Sequence, residues 1–128
     1  MTCRALVLFA PLLLGGCLST IASSQDTSRV RLGQTASVGL VHVTPRQVIE
    51  DSRCARGTQC VWAGQLRVRS TIDTPGGQHE RTLTLGKPEQ IGGGTLLLQA
   101  VTPAPVADQP IPPRDYSFTF HYTMPSAR

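Results

Sequence analysis

The sequence predicts an all-β domain, a single small antiparallel β-sandwich or partly open barrel of six to seven strands spanning residues 29–128. Three observations lead there. β-Branched and aromatic residues alternate with polar ones at a period near two, as half-buried strands require. Pro and Gly recur too closely for a helix of ordinary length: Pro45, Pro75-Gly76-Gly77, Gly86-Lys87-Pro88, Gly92-Gly93-Gly94, Pro103, Pro105, Pro110 and Pro112-Pro113. Four of the few aromatics, Tyr116, Phe118, Phe120 and Tyr122, fall at alternate positions, and each buries about 150–250 Å² when it faces a core.

Taken in order, Arg29 to Leu32 reads as a first, edge strand, and Val38 to Val43 and Gln47 to Ile49 as short strands either side of Pro45. From Gln65 to Asp73, Leu66, Val68 and Ile72 face one side while Gln65, Arg67, Arg69 and Thr71 face the other. Arg81 to Leu85 alternates Leu83 and Leu85 with Thr82 and Thr84. Pro75-Gly76-Gly77 makes an antiparallel hairpin the natural join between those two. Leu96 to Val101 is a more continuous apolar run, the pattern of a central strand covered on both faces. Tyr116 to Tyr122 then buries its aromatic face and leaves Ser117, Thr119 and His121 outward.

Residues 1–16 are set apart from this domain. Arg4 supplies a positive start, Ala5 to Leu14 an apolar run broken only by Pro11, and Gly15-Gly16 a small-residue end. That run is about half the length a membrane-spanning helix needs, so it reads as a signal peptide excluded from the fold. Leu14-Gly15-Gly16-Cys17 is similar to the lipobox of bacterial lipoproteins. The resemblance implies diacylglyceryl transfer to the Cys17 thiol, cleavage before it and acylation of the new amine, with palmitate as the expected chain. Residues 17–28 then form the lipidated Cys and a flexible tether rich in Ser, Thr, Ala and Gln. Two or more acyl chains give stable anchoring where one does not. The expected partner is the membrane, reached through lipid. Leu18 stands where an Asp retains enteric-type lipoproteins in the inner membrane, which implies the outer membrane, facing the periplasm, in a Gram-negative source.

Of four cysteines, Cys3 leaves with the signal and Cys17 carries lipid, so Cys54 and Cys60 remain. Export places them where paired thiols oxidise, and a disulfide is expected. Zinc would need four ligands, and Cys-x5-Cys with distant His42, His79 and His121 supplies no strong pattern. No metal and no cofactor is expected. Losing Arg4 leaves 11 basic against 8 acidic residues, a net +3, and the scattered cations build no phosphate track, so nucleic acid is excluded as a partner.

One segment carries a signature: Glu50-Asp51-Ser52-Arg53-Cys54-Ala55-Arg56-Gly57-Thr58-Gln59-Cys60-Val61-Trp62-Ala63-Gly64. It resembles a family of uncharacterised bacterial exported proteins, many of them lipoproteins, marked by Asp-Ser-Arg-Cys … Cys-Val-Trp-Ala-Gly before an alternating strand. The Leu97 to Pro105 run and the Asp115-Tyr116 strand resemble its C-terminal half, so the likeness covers roughly residues 38–122. Ala55 departs from the Pro expected there. The resemblance implies a compact exported β-domain and carries no activity. Physically, the segment is a strand end, a disulfide-closed turn eased by Gly57, and a new strand begun by Trp62. The large ring is expected to pack as a core plug near the disulfide. Gly64 suits a bulge or close backbone approach. Asp51 and Arg53, two apart, share a face and can pair or cap loop amides. Asp51, Arg53, Arg56, Trp62 and Gly64 are therefore the candidate structural clasp or recognition surface.

No catalytic set emerges. Ser52, Ser70 and Ser117 sit in no nucleophile-elbow pattern, and the carboxylates of Glu50 and Asp51, adjacent on a strand, point to opposite faces. The expected function is non-enzymatic: a lipid-anchored cell-envelope module working through an envelope protein or cell-wall partner. Two alternatives differ in kind, a periplasmic metal-binding module using His42, His79 or His121, and a protease-inhibitor-like module presenting Arg56-Gly57 on its disulfide loop. The anchoring expectation predicts that Cys17→Ser leaves a slower-migrating precursor. If wild type and variant migrate alike and neither takes up a fatty-acid probe, the chain is no lipoprotein.

Overall fold

The computed structural model describes residues 26–125, so the signal peptide, Cys17 and most of the tether lie outside the described residues. Eight strands form: β1 Thr27–Arg31, β2 Ala36–Val38, β3 Val41–Asp51, β4 Leu66–Thr74, β5 Gly77–Thr84, β6 Pro88–Ile91, β7 Gly94–Thr102 and β8 Ser117–Thr123, the last preceded by a short 3₁₀ turn, Pro113–Asp115. They make two four-stranded antiparallel sheets, ordered β1-β8-β7-β6 and β2-β3-β4-β5, packed as a sandwich. The edge strand expected at residues 29–32 begins two residues earlier, so Thr27 and Ser28 belong to it.

Period two decides the core, because alternate residues of a strand share one face. Phe118, Phe120 and Tyr122 of β8, with Leu96 and Leu98 of β7, meet Val41 and Val43 of β3 and Leu66, Val68 and Ile72 of β4, all essentially sealed from solvent. The rings of Tyr116 and Phe118 lie 5.9 Å apart and those of Phe118 and Phe120 6.5 Å, both near-parallel. Arg69 is exposed, whereas Arg67 and His121 are half-buried rather than open. Tyr122, the last of the aromatic row, donates its hydroxyl to the carbonyls of Ile91 (2.9 Å) and Gly92 (3.2 Å). Its ring packs so closely on Gly39 that a Cβ there would lie 2.4 Å from Cδ1.

The sandwich has eight strands where the sequence predicts six to seven, the added one being β6, and three further elements differ from expectation. Val38 to Val43 is a tight hairpin, with β2 and β3 turning at Gly39-Leu40 so that Val38 pairs Val41. β3 then runs unbroken through Pro45. The Pro45 carbonyl accepts from the Gly33 amide (2.8 Å), so its ring nitrogen faces the same edge, beyond the end of β2, where no ladder donor is needed. A register shift next to it absorbs the mismatch. β7 is central but covered on one face only. A bulge between Leu98 and Ala100 changes its phase, so Leu96, Leu98 and Val101 all point inward while Gln99 is exposed.

The chain enters and leaves the sandwich at one end. Thr27 pairs His121, and Tyr122 N donates to Asp26 O (2.8 Å). Asp51, Leu66, Thr102 and Ser117 mark the other end. β3 spans the distance between them, eleven residues or roughly 30 Å at the rise of a strand. Phe120→Ala, which would open a cavity between the sheets, is expected to cost about 3–5 kcal/mol in urea unfolding. A loss below about 1 kcal/mol would mean that the aromatic row does not hold the sheets together.

Candidate functional site

Beyond that far end, the β3–β4 connection carries the signature segment. Asp51 is the last residue of β3 and Arg53 follows the strand. Arg53 Nε donates to Asp51 Oδ1 (2.8 Å) and its Nη2 to Oδ2 (2.9 Å), a two-pronged pair whose planar geometry suits guanidinium and carboxylate. Both side chains are largely buried, 14% and 13% exposed. Further bonds reach β7 of the other sheet and the residue just past it: Nη1 to Val101 O and Nη2 to Pro103 O, each 3.1 Å. The Tyr116 hydroxyl, arriving from just before β8, donates to Asp51 Oδ2 (2.8 Å). A single carboxylate thus joins the two sheets at this end through one cation and one phenol.

Burial alone would raise the Asp51 pKa, but the hydrogen bonds from Arg53 and Tyr116 and the Arg53 charge outweigh it and hold the carboxyl below its ordinary 3.8. Burial and the adjacent Asp51 carboxylate push the Tyr116 hydroxyl up to about 12. At neutral pH the pair is therefore a charged acceptor and a neutral donor, the states its hydrogen bonds need. Asp51 is fully engaged and offers no free lone pair facing solvent for acid–base work.

The loop itself is braced by the disulfide and its own hydrogen bonds. Cys54 and Cys60 are disulfide-bonded with Cα atoms 5.9 Å apart, inside the range the linkage allows. A bridge of this short span contributes about 2–3 kcal/mol on the loop-entropy estimate. Ser52 N donates to Gln65 O (2.8 Å), Gln65 N to Ser52 Oγ (3.0 Å) and Cys54 N to Ala63 O (3.3 Å), extending the hairpin past the sheet. Gly64 has a positive φ of 64°, and a Cβ there would fall 1.7 Å from Ser52 O, so no other residue fits.

Trp62 overturns its expected role. It is 83% exposed and Val61 is fully exposed, β4 begins only at Leu66, and no strand includes either residue. The reason is space and reach. Four aromatics from residues 116–122 already fill the core, and Arg53 seals its end, so the loop closed by the disulfide stands outside both sheets. Trp62 instead lines a cleft of about 460 Å³ with Glu50, Ser52, Ala63, Gly64 and Gln65. Alternation splits the two adjacent carboxylates. Asp51 turns to Arg53 and Tyr116, while Glu50 turns to this cleft, accepting from Ser52 Oγ (3.2 Å) and Gln65 Nε2 (3.0 Å) with Arg67 Nη1 at 3.7 Å. Glu50, Ser52 and Gln65 were not singled out by the sequence as cleft residues. The alternation of β3 across Glu50-Asp51 was the signal that could have found the first.

The other candidates stay apart. His42 and His79 lie on β3 and β5 of one sheet, one position out of register, and His121 on β8 of the other. Each of two has a hydroxyl partner instead, Ser37 Oγ on His42 Nδ1 and Thr27 Oγ1 on His121 Nδ1, both 2.9 Å. Among the described residues no three His, Cys, Asp or Glu side chains gather in a metal-binding group. Arg56 is exposed, but its backbone is not clear of the domain: its amide donates to Pro105 O (2.9 Å) and it bridges Val106. Ser70 is sealed in the core, its hydroxyl without a partner among the described residues and out of reach of any substrate.

The Asp51 pKa sets a pH dependence. A depressed carboxyl stabilises the fold in full above its ordinary 3.8, and this contribution is lost as pH falls below that value through the lowered one. Tyr116 has the opposite sign: its contribution is present below 10.0 and lost as pH climbs from there through about 12. Denaturant midpoints of wild type and Asp51→Asn should differ most near neutrality and converge in acid. A gap that does not change with pH would remove Asp51 as the titrating group. Comparison with protein-family models, with curated proteins and with solved structures finds no match to this chain, so the reading of the site rests on its own geometry.

Proposed function

We propose that this protein is a lipid-anchored, non-enzymatic binding module of the cell envelope that engages its partner through the Trp62 loop. One observation carries the reading. An indole 83% exposed beside a fully exposed Val61 sits on a loop that a disulfide, a crowded glycine and paired hydrogen bonds hold in shape. Exposing a large apolar side chain on a braced support forgoes its burial, and proteins spend that at contact sites, where Trp is enriched among the residues that dominate binding. A pre-shaped loop also loses little freedom on association.

The topology supports an orientation. With lipid on Cys17, the chain enters at the Asp26–Thr27 end, and the Trp62 loop projects from the opposite end, roughly 30 Å away along β3. Such a module presents its loop away from the membrane that anchors it. The lipobox-like Leu14 to Cys17 and the resemblance of residues 50–64 to exported proteins support the envelope address. The metal and inhibitor alternatives find less support: the three histidines do not converge, and the Arg56 backbone is already paired.

The test is a photoreactive residue in place of Val61, with a control at exposed Gln78 on β5, irradiated in the native envelope. Val61 should give a discrete adduct that Gln78 does not. Equal or absent labelling from both positions would sink the reading.

A further inference from the structure

We infer that the cleft beside Trp62 is a subsite for an uncharged pyranose polysaccharide, with the indole stacked on a sugar ring and Glu50, Gln65 and Ser52 hydrogen-bonding its hydroxyls. This rests on the binding-module reading above and names the ligand class of that same site. The cleft, about 460 Å³, falls within the 300–1,000 Å³ typical of small-molecule sites. It joins two surfaces of different chemistry. One is the exposed indole, a flat apolar face with an electron-rich π system that suits the C–H face of a pyranose. The other is a rim of polar groups set in place by one another: Gln65 Nε2 donates to Glu50 Oε2 (3.0 Å), and Ser52 Oγ accepts from Gln65 N (3.0 Å) and shares its one proton between Gln65 O (3.1 Å) and Glu50 Oε1 (3.2 Å). That arrangement leaves the Gln65 Oε1 atom, which has no hydrogen bond among the described residues, and the outer lone pairs of Glu50 as acceptors. Acceptors beside an apolar plate call for a ligand that is apolar on its face and rich in O–H donors at its edge. A sugar ring has that construction.

Other ligand classes fit less well. The Glu50 charge is offset by Arg67 Nη1 at 3.7 Å, so the cleft carries no strong field to draw an ion, and its carboxylate opposes a phosphate or an acidic chain. A bilayer would take the Glu50 carboxylate and the unpaired Gln65 Oε1 out of water, and the loop lies at the end away from the chain's entry. A protein partner would be expected to cover a broader apolar patch than Val61 and Trp62, the two strongly exposed apolar side chains of this loop.

Trp62 is the chain's single tryptophan, so its emission reports on this cleft alone. The lipidated protein in zwitterionic-detergent micelles is titrated with hexamers of β-linked N-acetylglucosamine and of β-linked glucose, followed by emission and by calorimetry. At least one hexamer should shift the emission saturably. By calorimetry, Trp62→Ala should weaken binding at least about tenfold and Gln65→Ala several-fold, with thermal midpoints unchanged because both side chains are exposed. The inference falls if neither hexamer binds up to about 10 mM, if Trp62→Ala binds as well as wild type, or if only phosphatidylglycerol vesicles shift the emission. A protein adduct from position 61 together with no sugar binding would leave the binding module standing and remove the polysaccharide.

Discussion

The Arg53 guanidinium is the constraint around which this end of the molecule is organised. Two β-sheets pressed together by apolar side chains have no directional bond fixing how their ends meet. Here one planar cation takes both oxygens of Asp51 from one sheet and two backbone carbonyls from the other side, Val101 in β7 and Pro103 just past its end. Tyr116 adds a third tie to the same carboxylate. A guanidinium suits this place because its donors radiate in a plane and it stays charged at every physiological pH. Removing either partner of a buried pair leaves the other uncompensated, a larger loss than the pair's own net contribution. The aromatic row behind it is protected from water by the same contact.

That closure makes the exposed loop possible. The β3–β4 connection leaves the sandwich at Asp51 and returns at Leu66, and its base is fixed by residues belonging to the fold. The loop therefore needs little from its own side chains to hold its place. The Cys54–Cys60 bridge, the Ser52–Gln65 hydrogen bonds and the Gly64–Ser52 contact set its shape, and Arg56 tethers it to the segment after β7. Val61 and Trp62 are left free of structural duty. An apolar pair that does not hold up the fold, on a loop braced by a disulfide and paired hydrogen bonds, is the feature on which the proposed contact role rests.

The two neighbouring carboxylates show how one strand serves both purposes. Successive residues of β3 point to opposite sides, so Asp51 enters the buried clasp and Glu50 faces the open cleft. Both accept hydrogen bonds, but in different surroundings. Asp51 is held below its ordinary pKa by partners that leave it no capacity for a ligand. Glu50 is half-buried at the cleft's edge, accepting from Ser52 and Gln65 and keeping lone pairs to spare beside the indole. The fold's most constrained acid and its candidate ligand-binding acid are thus adjacent in the chain.

Much of this was legible in the residues themselves. Alternation from Tyr116 to Tyr122 named the aromatic core, the spacing of Pro and Gly ruled out long helices, and Asp51 with Arg53 two apart could be read as a pair, because each of these depends on neighbours a few positions away. The hairpin within Val38 to Val43 was hidden since its turn, Gly39-Leu40, follows an unbroken apolar alternation, and Gly39 is required by the Tyr122 ring across the sandwich. β6 was missed because Pro88 reads as a break, although it sits on an edge strand where its missing N–H is harmless. Only the tertiary structure decided the fate of Trp62. A tryptophan beside a disulfide is equally consistent with a plug and with a projecting contact, and what chooses is whether the core has room. Four rings supplied from more than fifty residues downstream, and a guanidinium bonded to carbonyls 48 and 50 positions away, had already filled and closed it. The periodicity of a strand tells which face a side chain takes; where the strand ends relative to the opposing sheet is settled by long-range packing, and that decides between burial and exposure.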